Sequence, residues 1–467
     1  MKKQSKHYLL IILTLALILR LYHLTYPYLD HHSWRQTQTA TIARNFYLHG
    51  FNIIKPEIDY LGNEPSVAEL EFQITPYLTS ILYIFLGVHD WVGRIVPIIF
   101  SLLSIYVYYL LIKLYYGEKL ATLSSFVFAI LPINIFFSRV QMPESGMLFF
   151  SIAGLYYFSM YVRQTTLSNY LFALFFVSMS FLSKIPNLFL LVPLAYIALS
   201  KEKINLKRKQ PVKNLKLILF FALALGITVL YYGYMHFSAD TSLIPYEGII
   251  GKLSALLDVT LYQVLLFRLN SVVFTPLGLI LFATGLILWR SKNKLFLVWL
   301  ISLFFYLAAT PIFNKIHSYY QLPIVPVGAF YIAYSLKIIS DANRYIGIIS
   351  GVILVVMSLQ YVMPLYNLYA YSAYDAGQVV KSIDSGNSLI IAVPFRRDMM
   401  QELFYYSGRK GWLAWPETLS PQLIDEYKNK GAEYVVMTDQ KPISYELNKY
   451  FENNTKYIGK NYLIIKI

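Results

Sequence analysis

The sequence predicts an all-α polytopic membrane protein with a small α/β domain at its C-terminal end. Three observations predict this fold class. Of 467 residues, 57% are hydrophobic and only 14% are charged, whereas soluble chains are roughly 45–50% apolar and about 25% charged. Long apolar segments follow one another as far as position 365. Beyond that point, short apolar stretches alternate with polar ones, which is typical of strands and short helices.

Eleven apolar segments are predicted to cross the membrane, because a helix needs about 20 residues, with a range of roughly 17–25, to do so. They lie at 8–24, 94–116, 119–137, 145–162, 168–183, 186–200, 216–236, 272–289, 295–312, 319–336 and 345–364. The segments 168–183 and 186–200 are short and fit a tilted or shallow pair. A twelfth segment, 75–87, has thirteen residues. Its length favours an interfacial helix that lies on the membrane surface.

The positions of the basic residues predict the orientation. The net charge is +15, and Lys and Arg concentrate in the cytoplasmic loops of membrane proteins, so this charge does not indicate a nucleic-acid partner. With eleven spans and a cytoplasmic N-terminus, the basic linker 201–216 is cytoplasmic. A twelfth span would turn that linker outward. We therefore expect a multi-pass protein of the plasma (inner) membrane, with the connection 25–93 and the tail on the outer side.

The tail is predicted to be a separate extracytoplasmic α/β domain at 366–467, after a transmembrane domain at 1–365. Strand patterns occur in "SLIIAV", "AEYVVMT" and "NYLIIKI". Helical patterns occur around 398–407 and 420–430. About a hundred residues is a usual size for one domain.

Ionisable and aromatic residues from four distant connections are predicted to meet on the outer face. They are Asp30, His31, His32, Arg35 and Glu71 in the connection 25–93, Arg139 and Glu144 in "SRVQMPES", Lys184 in "FLSKIPN", and Lys315, His317, Tyr319 and Tyr320 in "FNKIHSYYQLP". A single charge at a helix end is often an interfacial anchor. Because all four connections lie on one side, we expect an anionic ligand held by cations, beside carboxylates available for acid–base chemistry.

These motifs, in this order, resemble the lipid-phosphosugar-dependent glycosyltransferases of family 39 and their bacterial relatives, which have the GT-C membrane fold. The family includes protein O-mannosyltransferases and the lipid A aminoarabinose transferase. The resemblance covers about residues 5–365 and extends to "YYSGRKGW" at 405–412. It implies a membrane enzyme that moves a hexosyl or pentosyl group from a polyprenyl-phosphate donor to a glycan, lipid or protein acceptor. It also implies that no metal ion is obligatory.

The resemblance assigns roles to individual residues. Asp30 and Glu71 match the two catalytic acids of the first outer loop. The other matched positions, which imply substrate binding, are Arg139, Glu144, Lys184, His317 and Tyr320. There are two departures from the family pattern. His31 and His32 follow Asp30 where many members have an Asp-Glu pair, and Gln73 stands where a proline is usual.

The chemistry of such a donor requires cations and a base. Cations must hold the departing phosphate as its negative charge grows, and Arg139, Lys184, Arg35 and His317 are available for this. A carboxylate must take the proton of the acceptor hydroxyl. Asp30 is the first candidate, with Arg35 assisting the phosphate, and Glu71 is the second. A base on the face opposite the phosphate gives inversion at the anomeric carbon.

Several alternatives remain open at this stage. His31, His32, Asp30 and Glu144 are also a possible ligand set for a divalent cation, since imidazole and carboxylate suit several metals. The absence of cysteine excludes disulfides and thiolate chemistry. A transporter or lipid flippase is the alternative function, as is a non-catalytic subunit that binds the lipid carrier. Transporters have inverted repeats and broken midplane helices, whereas this sequence has no repeat and carries its charges at helix ends.

The eleven-span topology is tested with single cysteines in a chain that has none. We expect Lys209→Cys to stay unlabelled by a membrane-impermeant thiol reagent in intact cells and to become labelled after lysis. A cysteine in the connection 25–93 serves as the labelled control. Labelling at position 209 in intact cells would contradict the eleven-span topology.

Overall fold

The computed structural model describes residues 3–200, 211–244, 253–383, 386, 388–395, 401–439 and 444–467. Helices dominate this part of the chain. They are Lys3–Leu21, Ser33–His49, Ile74–Leu86, Asp90–Tyr116, Glu118–Ile130, Pro132–Phe137, Glu144–Gln164, Leu167–Ser183, Leu191–Leu199, Pro211–Ser238, Val259–Arg268, Pro276–Leu288, Leu295–Ala309, Pro311–Ile316, Val325–Ala342, Arg344–Val362, Tyr371–Ile383, Glu402–Ser407, Pro421–Asn429 and Tyr445–Tyr450. Short turns of 3₁₀-helix occupy Ile185–Leu190, Leu253–Leu257, Ser318–Ile324 and Met363–Tyr366.

Within the described residues, five helices are long and apolar enough to cross a membrane. They are Asp90–Tyr116, Glu144–Gln164, Leu215–Ser238, Ser318–Ala342 and Arg344–Tyr366. Val259–Val273 and Pro276–Leu288 meet at a bend of 106° and would make a sixth span if the bent pair counts as one. The predicted spans 168–183, 186–200 and 295–312 correspond to shorter apolar helices, and the first predicted span corresponds to the helix Lys3–Leu21, which is not among the five. The number eleven therefore stays a prediction.

Two departures from the predicted segments have local causes. The predicted span 119–137 divides between Ile130 and Pro132, because a proline has no N–H to continue the helical hydrogen bonds. The predicted connection 237–271 contains the helix Val259–Arg268, which its mixed composition does not reveal. Much of the basic linker, 201–210, lies outside the described residues.

The helix Ile74–Leu86 has the exposure expected at a membrane surface. Its buried side includes Thr79 and Ser80, while Ile84 and Phe85 are exposed. A buried polar side and an open apolar side are the reverse of the pattern in a water-soluble protein. This arrangement fits the predicted interfacial helix, whose place relative to the membrane stays a prediction.

Helices of the membrane domain approach closely where small residues lie between them. Gly285, in Pro276–Leu288, faces the helix Val325–Ala342, and a Cβ built on it would lie 2.1 Å from the Tyr331 carbonyl oxygen. Small residues at such crossings let the backbones come together and gain van der Waals contact. Gly285 therefore sets the separation of these two helices.

The C-terminal domain is built on a six-stranded sheet with the strand order β2-β6-β5-β7-β9-β8. Its strands are β2 (Leu61–Gly62), β5 (Leu389–Pro394), β6 (Gly411–Leu413), β7 (Ala432–Thr438), β8 (Lys456–Ile458) and β9 (Tyr462–Lys466). The strands β6, β5 and β7 are parallel, and β9, β8 and β2 pair antiparallel to their neighbours. Side chains alternate between the two faces, and both faces are covered by helices. The three strand motifs of the tail are thus strands, as predicted.

The first loop, 25–93, contributes to both sheets found in the described part of the chain. Its strand β2 pairs with β6 and so becomes part of the tail's sheet. Its strands β1 (Glu57–Ile58) and β3 (Ser66–Glu69) pair with each other, and β3 pairs with β4 (Thr241–Ser242). The sheet of the predicted 366–467 domain therefore includes a strand from outside that range.

The close approach at Gly285 is tested by adding a methyl group. Overpacking a tight contact costs about 1–3 kcal/mol, so Gly285→Ala should lower the melting temperature of the purified protein in detergent. Gly233→Ala is the matched control, because a Cβ at Gly233 has no atom within 4 Å and alanine is the better helix former by about 0.5–1 kcal/mol. Equal melting temperatures for the two variants would contradict this account of the crossing.

Candidate active site

A cavity of about 170 Å³ lies where the first loop meets the ends of several membrane helices. Charged, aromatic and apolar side chains line it together. The lining residues are Trp34, Arg35, Glu71, Lys184, Ile185, Pro186, Tyr232, Leu243, Ile244, Phe313, His317, Tyr319 and Tyr320. Two cations, one carboxylate and several aromatic rings therefore share one small volume.

The ion pair between Arg35 and Glu71 forms one wall of the cavity. Arg35 lies in the first turn of the helix Ser33–His49, and Glu71 comes shortly before Ile74–Leu86. Arg35 Nη2 donates to Glu71 Oε1, and Arg35 Nη1 donates to Gln38 Oε1 at 2.7 Å. Burial alone would lower the pKa of Arg35, but the Glu71 carboxylate raises it above its ordinary value. Arg35 is therefore a permanent cation.

Lys184 supplies the second cation from a break between helices. It has an extended backbone after Leu167–Ser183, and the 3₁₀ turn Ile185–Leu190, with a proline in its first turn, follows it. Its Nζ donates to Glu144 Oε1 at 2.6 Å. The same ammonium lies 4.5 Å and 4.6 Å from the ring centroids of Tyr319 and Tyr320. The carboxylate and the two aromatic rings stabilise the Lys184 ammonium. An ammonium has three N–H donors, so this ion pair does not use all of them.

Three histidine rings cluster at the cavity. The ring centroids of His31 and His32 are 4.1 Å apart with the rings tilted by 48°, and those of His32 and His317 are 5.4 Å apart in an edge-to-face arrangement. His31 Nε2 is 3.0 Å from Ser318 Oγ. Burial, reinforced for His317 by Lys184 and Arg35, lowers the pKa of His31 and of His317 to about 4. Burial also lowers the pKa of His32. These rings are therefore neutral near pH 7.

Asp30 lies outside the cavity lining, in a buried charge cluster. Its Oδ2 accepts from Arg139 Nη1 at 3.0 Å and lies 3.7 Å from Arg94 Nη2, and its Oδ1 accepts from Gln36 Nε2 at 2.5 Å. Arg94 and Arg139 are fully buried, and Asp30 is 2% exposed. The cluster joins the first loop to Asp90–Tyr116 and to the turn before Glu144–Gln164.

The structure brings together half of the residues that the sequence singled out. Those in the cavity lining are Arg35, Glu71, Lys184, His317, Tyr319 and Tyr320. His31, His32 and Glu144 pack directly behind them. Asp30 and Arg139 pair with each other, and Lys315 pairs at 2.7 Å with Asp258 in a partly exposed contact.

The four residues suggested as ligands of a divalent cation do not form a metal-binding cluster in the structure. Asp30 is paired with Arg139, and Glu144 is paired with Lys184. Within the described ranges, no group of three or more His, Cys, Asp or Glu side chains is arranged to hold a metal ion.

The sequence analysis missed part of the lining. Trp34 directly precedes Arg35 in the sequence, so the prediction of Arg35 as a site residue also indicates the position of Trp34. Tyr232, Phe313 and Ile244 are also in the lining. Tyr232 belongs to an apolar span that looks like ordinary membrane packing, and Ile244 lies in the connection 237–271 without a motif around it. Phe313 begins the quoted stretch "FNKIHSYYQLP", which gave a signal for its neighbourhood.

The fold is that of the GT-C membrane glycosyltransferases, which confirms the predicted fold class. The chain is similar to the crystal structure of ArnT from Cupriavidus metallidurans bound to undecaprenyl phosphate, with a TM-score of 0.69, 13% identity and 98% of each chain covered. It is also similar to the archaeal oligosaccharyltransferase AglB from Archaeoglobus fulgidus in complex with an inhibitory peptide and a dolichol-phosphate. In that case the TM-score is 0.54, the identity is 14%, and 94% of this chain and 70% of the other are covered.

A family model supports the same class. Residues 74–232 match the family described as dolichyl-phosphate-mannose-protein mannosyltransferase. This range includes Glu144 and Lys184 but ends before the lining residues Phe313, His317, Tyr319 and Tyr320. No curated protein matches the chain significantly.

The structural role of Asp30 is tested by Asp30→Asn. Removing one partner of a buried ion pair costs about 3–5 kcal/mol, so this variant should unfold at clearly lower denaturant concentration in detergent. Asp258→Asn, which breaks a partly exposed pair, is the control and should change little. Normal stability of Asp30→Asn together with lost sugar transfer would instead support Asp30 as the general base.

Proposed function

We propose that the chain is a membrane glycosyltransferase that moves a sugar from a polyprenyl-phosphate donor to an acceptor hydroxyl on the outer face of the membrane. One observation carries this proposal. The cavity combines a carboxylate that can accept a proton, Glu71, with two cations that can hold a phosphate, Arg35 and Lys184. Glycosyl transfer from a lipid phosphate requires this combination of groups.

The comparisons support the class of donor. The matched family is described by its use of dolichyl-phosphate-mannose. The ArnT structure is bound to undecaprenyl phosphate, and the AglB structure holds a dolichol-phosphate. A polyprenyl phosphate also suits this chain, because its cavity lies among membrane helices whose outward faces are apolar.

Arg35 and Lys184 are proposed to hold the donor phosphate. A guanidinium offers paired N–H donors that match phosphate oxygens, and an ammonium acts as a mobile point charge. Both cations already have a carboxylate partner, Glu71 and Glu144 respectively. These carboxylates offset the cost of burying the two cations before the donor arrives. The neutral His317 can donate one further hydrogen bond.

Glu71 is proposed to be the general base. It lines the cavity, whereas the Asp30 carboxylate is occupied by Arg139 and Gln36 outside it. The acceptor hydroxyl gives its proton to Glu71 while its oxygen forms the new bond to the anomeric carbon. The bond from that carbon to the phosphate oxygen breaks, and its electron pair stays on the phosphate beside the two cations. Attack opposite the departing phosphate inverts the anomeric centre.

The aromatic lining is proposed to shape the sugar site. Trp34, Tyr319 and Tyr320 surround the charged groups. Their ring faces suit the C–H faces of a sugar, and the enclosed volume excludes water that would otherwise compete with the acceptor as a nucleophile. The acceptor remains a glycan, a lipid or a protein.

Glu71→Gln tests the proposed base. The amide keeps the size of the side chain and still accepts from Arg35, but it cannot take a proton, so the turnover number should fall by about 10²–10⁴-fold. Binding of undecaprenyl phosphate should be retained, because no cation is lost. Glu64→Gln, at an exposed position in the same loop, is the control and should leave both quantities unchanged.

The class of function is tested separately with the purified wild-type protein. Mass spectrometry of the co-purifying lipid should identify a polyprenyl phosphate, and incubation with a polyprenyl-phosphate sugar should release the free lipid phosphate. A non-catalytic carrier-binding subunit would bind the lipid without releasing sugar. A transporter or flippase would move the intact donor across vesicle membranes. Either result would overturn the proposed function.

A further inference from the structure

The helix Ser33–His49 carries Trp34 and Arg35 into the cavity at its very first turn. Its own sequence does not fix that turn. The preceding residue, His32, has a left-handed backbone with φ of 61° and gives no side-chain cap to the helix. An uncapped start leaves backbone N–H groups without helical partners, and a left-handed non-glycine residue costs about 1–3 kcal/mol. Besides the hydrogen bond from Gln36 to Asp30, a further contact is needed to hold the turn that presents Arg35.

The C-terminal domain supplies that contact. Ser33 Oγ donates to Glu402 Oε1 at 2.5 Å. Glu402 is fully buried and is the first residue of the helix Glu402–Ser407. A carboxylate beside the first turn of a helix is also stabilised by the partial positive charge there. Glu402 thus meets the turn at the residue immediately before Trp34.

Further contacts hold the helix Glu402–Ser407 against the helix Ser33–His49 and against the helix Asp90–Tyr116. Arg44 Nη1 donates to the Tyr405 carbonyl oxygen at 2.7 Å, and Arg44 Nη2 donates to Asp59 Oδ2 at 2.6 Å. The hydroxyls of Tyr405 and Tyr406 donate to the two oxygens of Asp90 at 2.7 Å and 3.0 Å. These contacts fix the helix Glu402–Ser407 relative to the membrane domain, so that the position of Glu402 is well defined.

We propose that Glu402 is a positioning residue for sugar transfer. Through Ser33 it sets the place of Trp34 and Arg35, and Arg35 in turn holds Glu71. This inference rests on the proposed function and deepens it, because it makes the tail part of the catalytic apparatus. A displacement of about 1 Å at a reacting group can lower a rate by about 10²-fold. Glu402 therefore affects the reaction without touching the substrate.

The experiment compares Glu402→Ala, Glu402→Gln, Ser33→Ala and the double variant Ser33→Ala with Glu402→Ala. The alanine variants should each lower kcat of the folded protein by about 10–100-fold. Glu402→Gln should restore most of that loss, because its amide oxygen still accepts from Ser33. The double variant should be no slower than the slower single variant, since both changes remove one contact. Glu426→Ala, at an exposed acid of the same domain, is the control and should leave kcat unchanged.

Hydrogen exchange of the amides of residues 33–49 gives a readout that does not need activity. We expect faster exchange in the first turn of this helix in Ser33→Ala and Glu402→Ala, and wild-type exchange in Glu426→Ala. Wild-type kcat in folded Glu402→Ala, or losses that add in the double variant, would overturn the positioning role. Absence of sugar transfer by the wild-type protein would refute the proposed function. The role of the Ser33–Glu402 contact in fixing this turn would be refuted separately, by unchanged hydrogen exchange in Ser33→Ala and Glu402→Ala.

Discussion

The buried carboxylate of Asp30 connects parts of the chain that are far apart in sequence. In a low-dielectric interior a lone charge is unstable, so the two buried arginines around it must keep this partner. Arg94 belongs to a long membrane helix, and Arg139 lies in the turn before another. The first loop is thereby fixed to the membrane domain just before the helix that carries Arg35. The geometry of the cavity depends on this cluster even though none of its members lines the cavity.

In the cavity itself, each of the two cations forms an ion pair with a carboxylate. Arg35 is held by Glu71 and Lys184 by Glu144. An arriving phosphate has to compete with these partners, which favours a doubly contacted dianion or diester over a weaker anion such as chloride. The neutral histidines add hydrogen-bonding capacity without adding charge. Specificity for a lipid phosphate can therefore arise from the balance of pairs, and not from excess positive charge.

The sequence predicted the class of fold and half of the cavity lining, for a physical reason. Charged residues at helix ends that are predicted to lie on the same side of the membrane are expected to be close together. This expectation alone grouped Arg35, Glu71, Lys184 and His317. It does not determine which acid pairs with which base. Asp30 therefore looked like a catalytic acid, although it pairs with Arg139. The two-residue strand Leu61–Gly62 and its pairing with a strand some 350 positions later have no periodic signal, so no local pattern predicted them.

The pairing of the strand Leu61–Gly62 with the sheet of the tail has a consequence for biosynthesis. Gly62 pairs with Gly411, so this edge of the tail's sheet is translated long before its neighbour exists. The backbone groups of Leu61–Gly62 that pair with β6 have no partner strand until most of the membrane helices have been synthesised. Pairings between such distant positions form late and slowly. A chain that stops before residue 411 therefore leaves the strand Leu61–Gly62, in the same loop as Arg35 and Glu71, without its pairing partner.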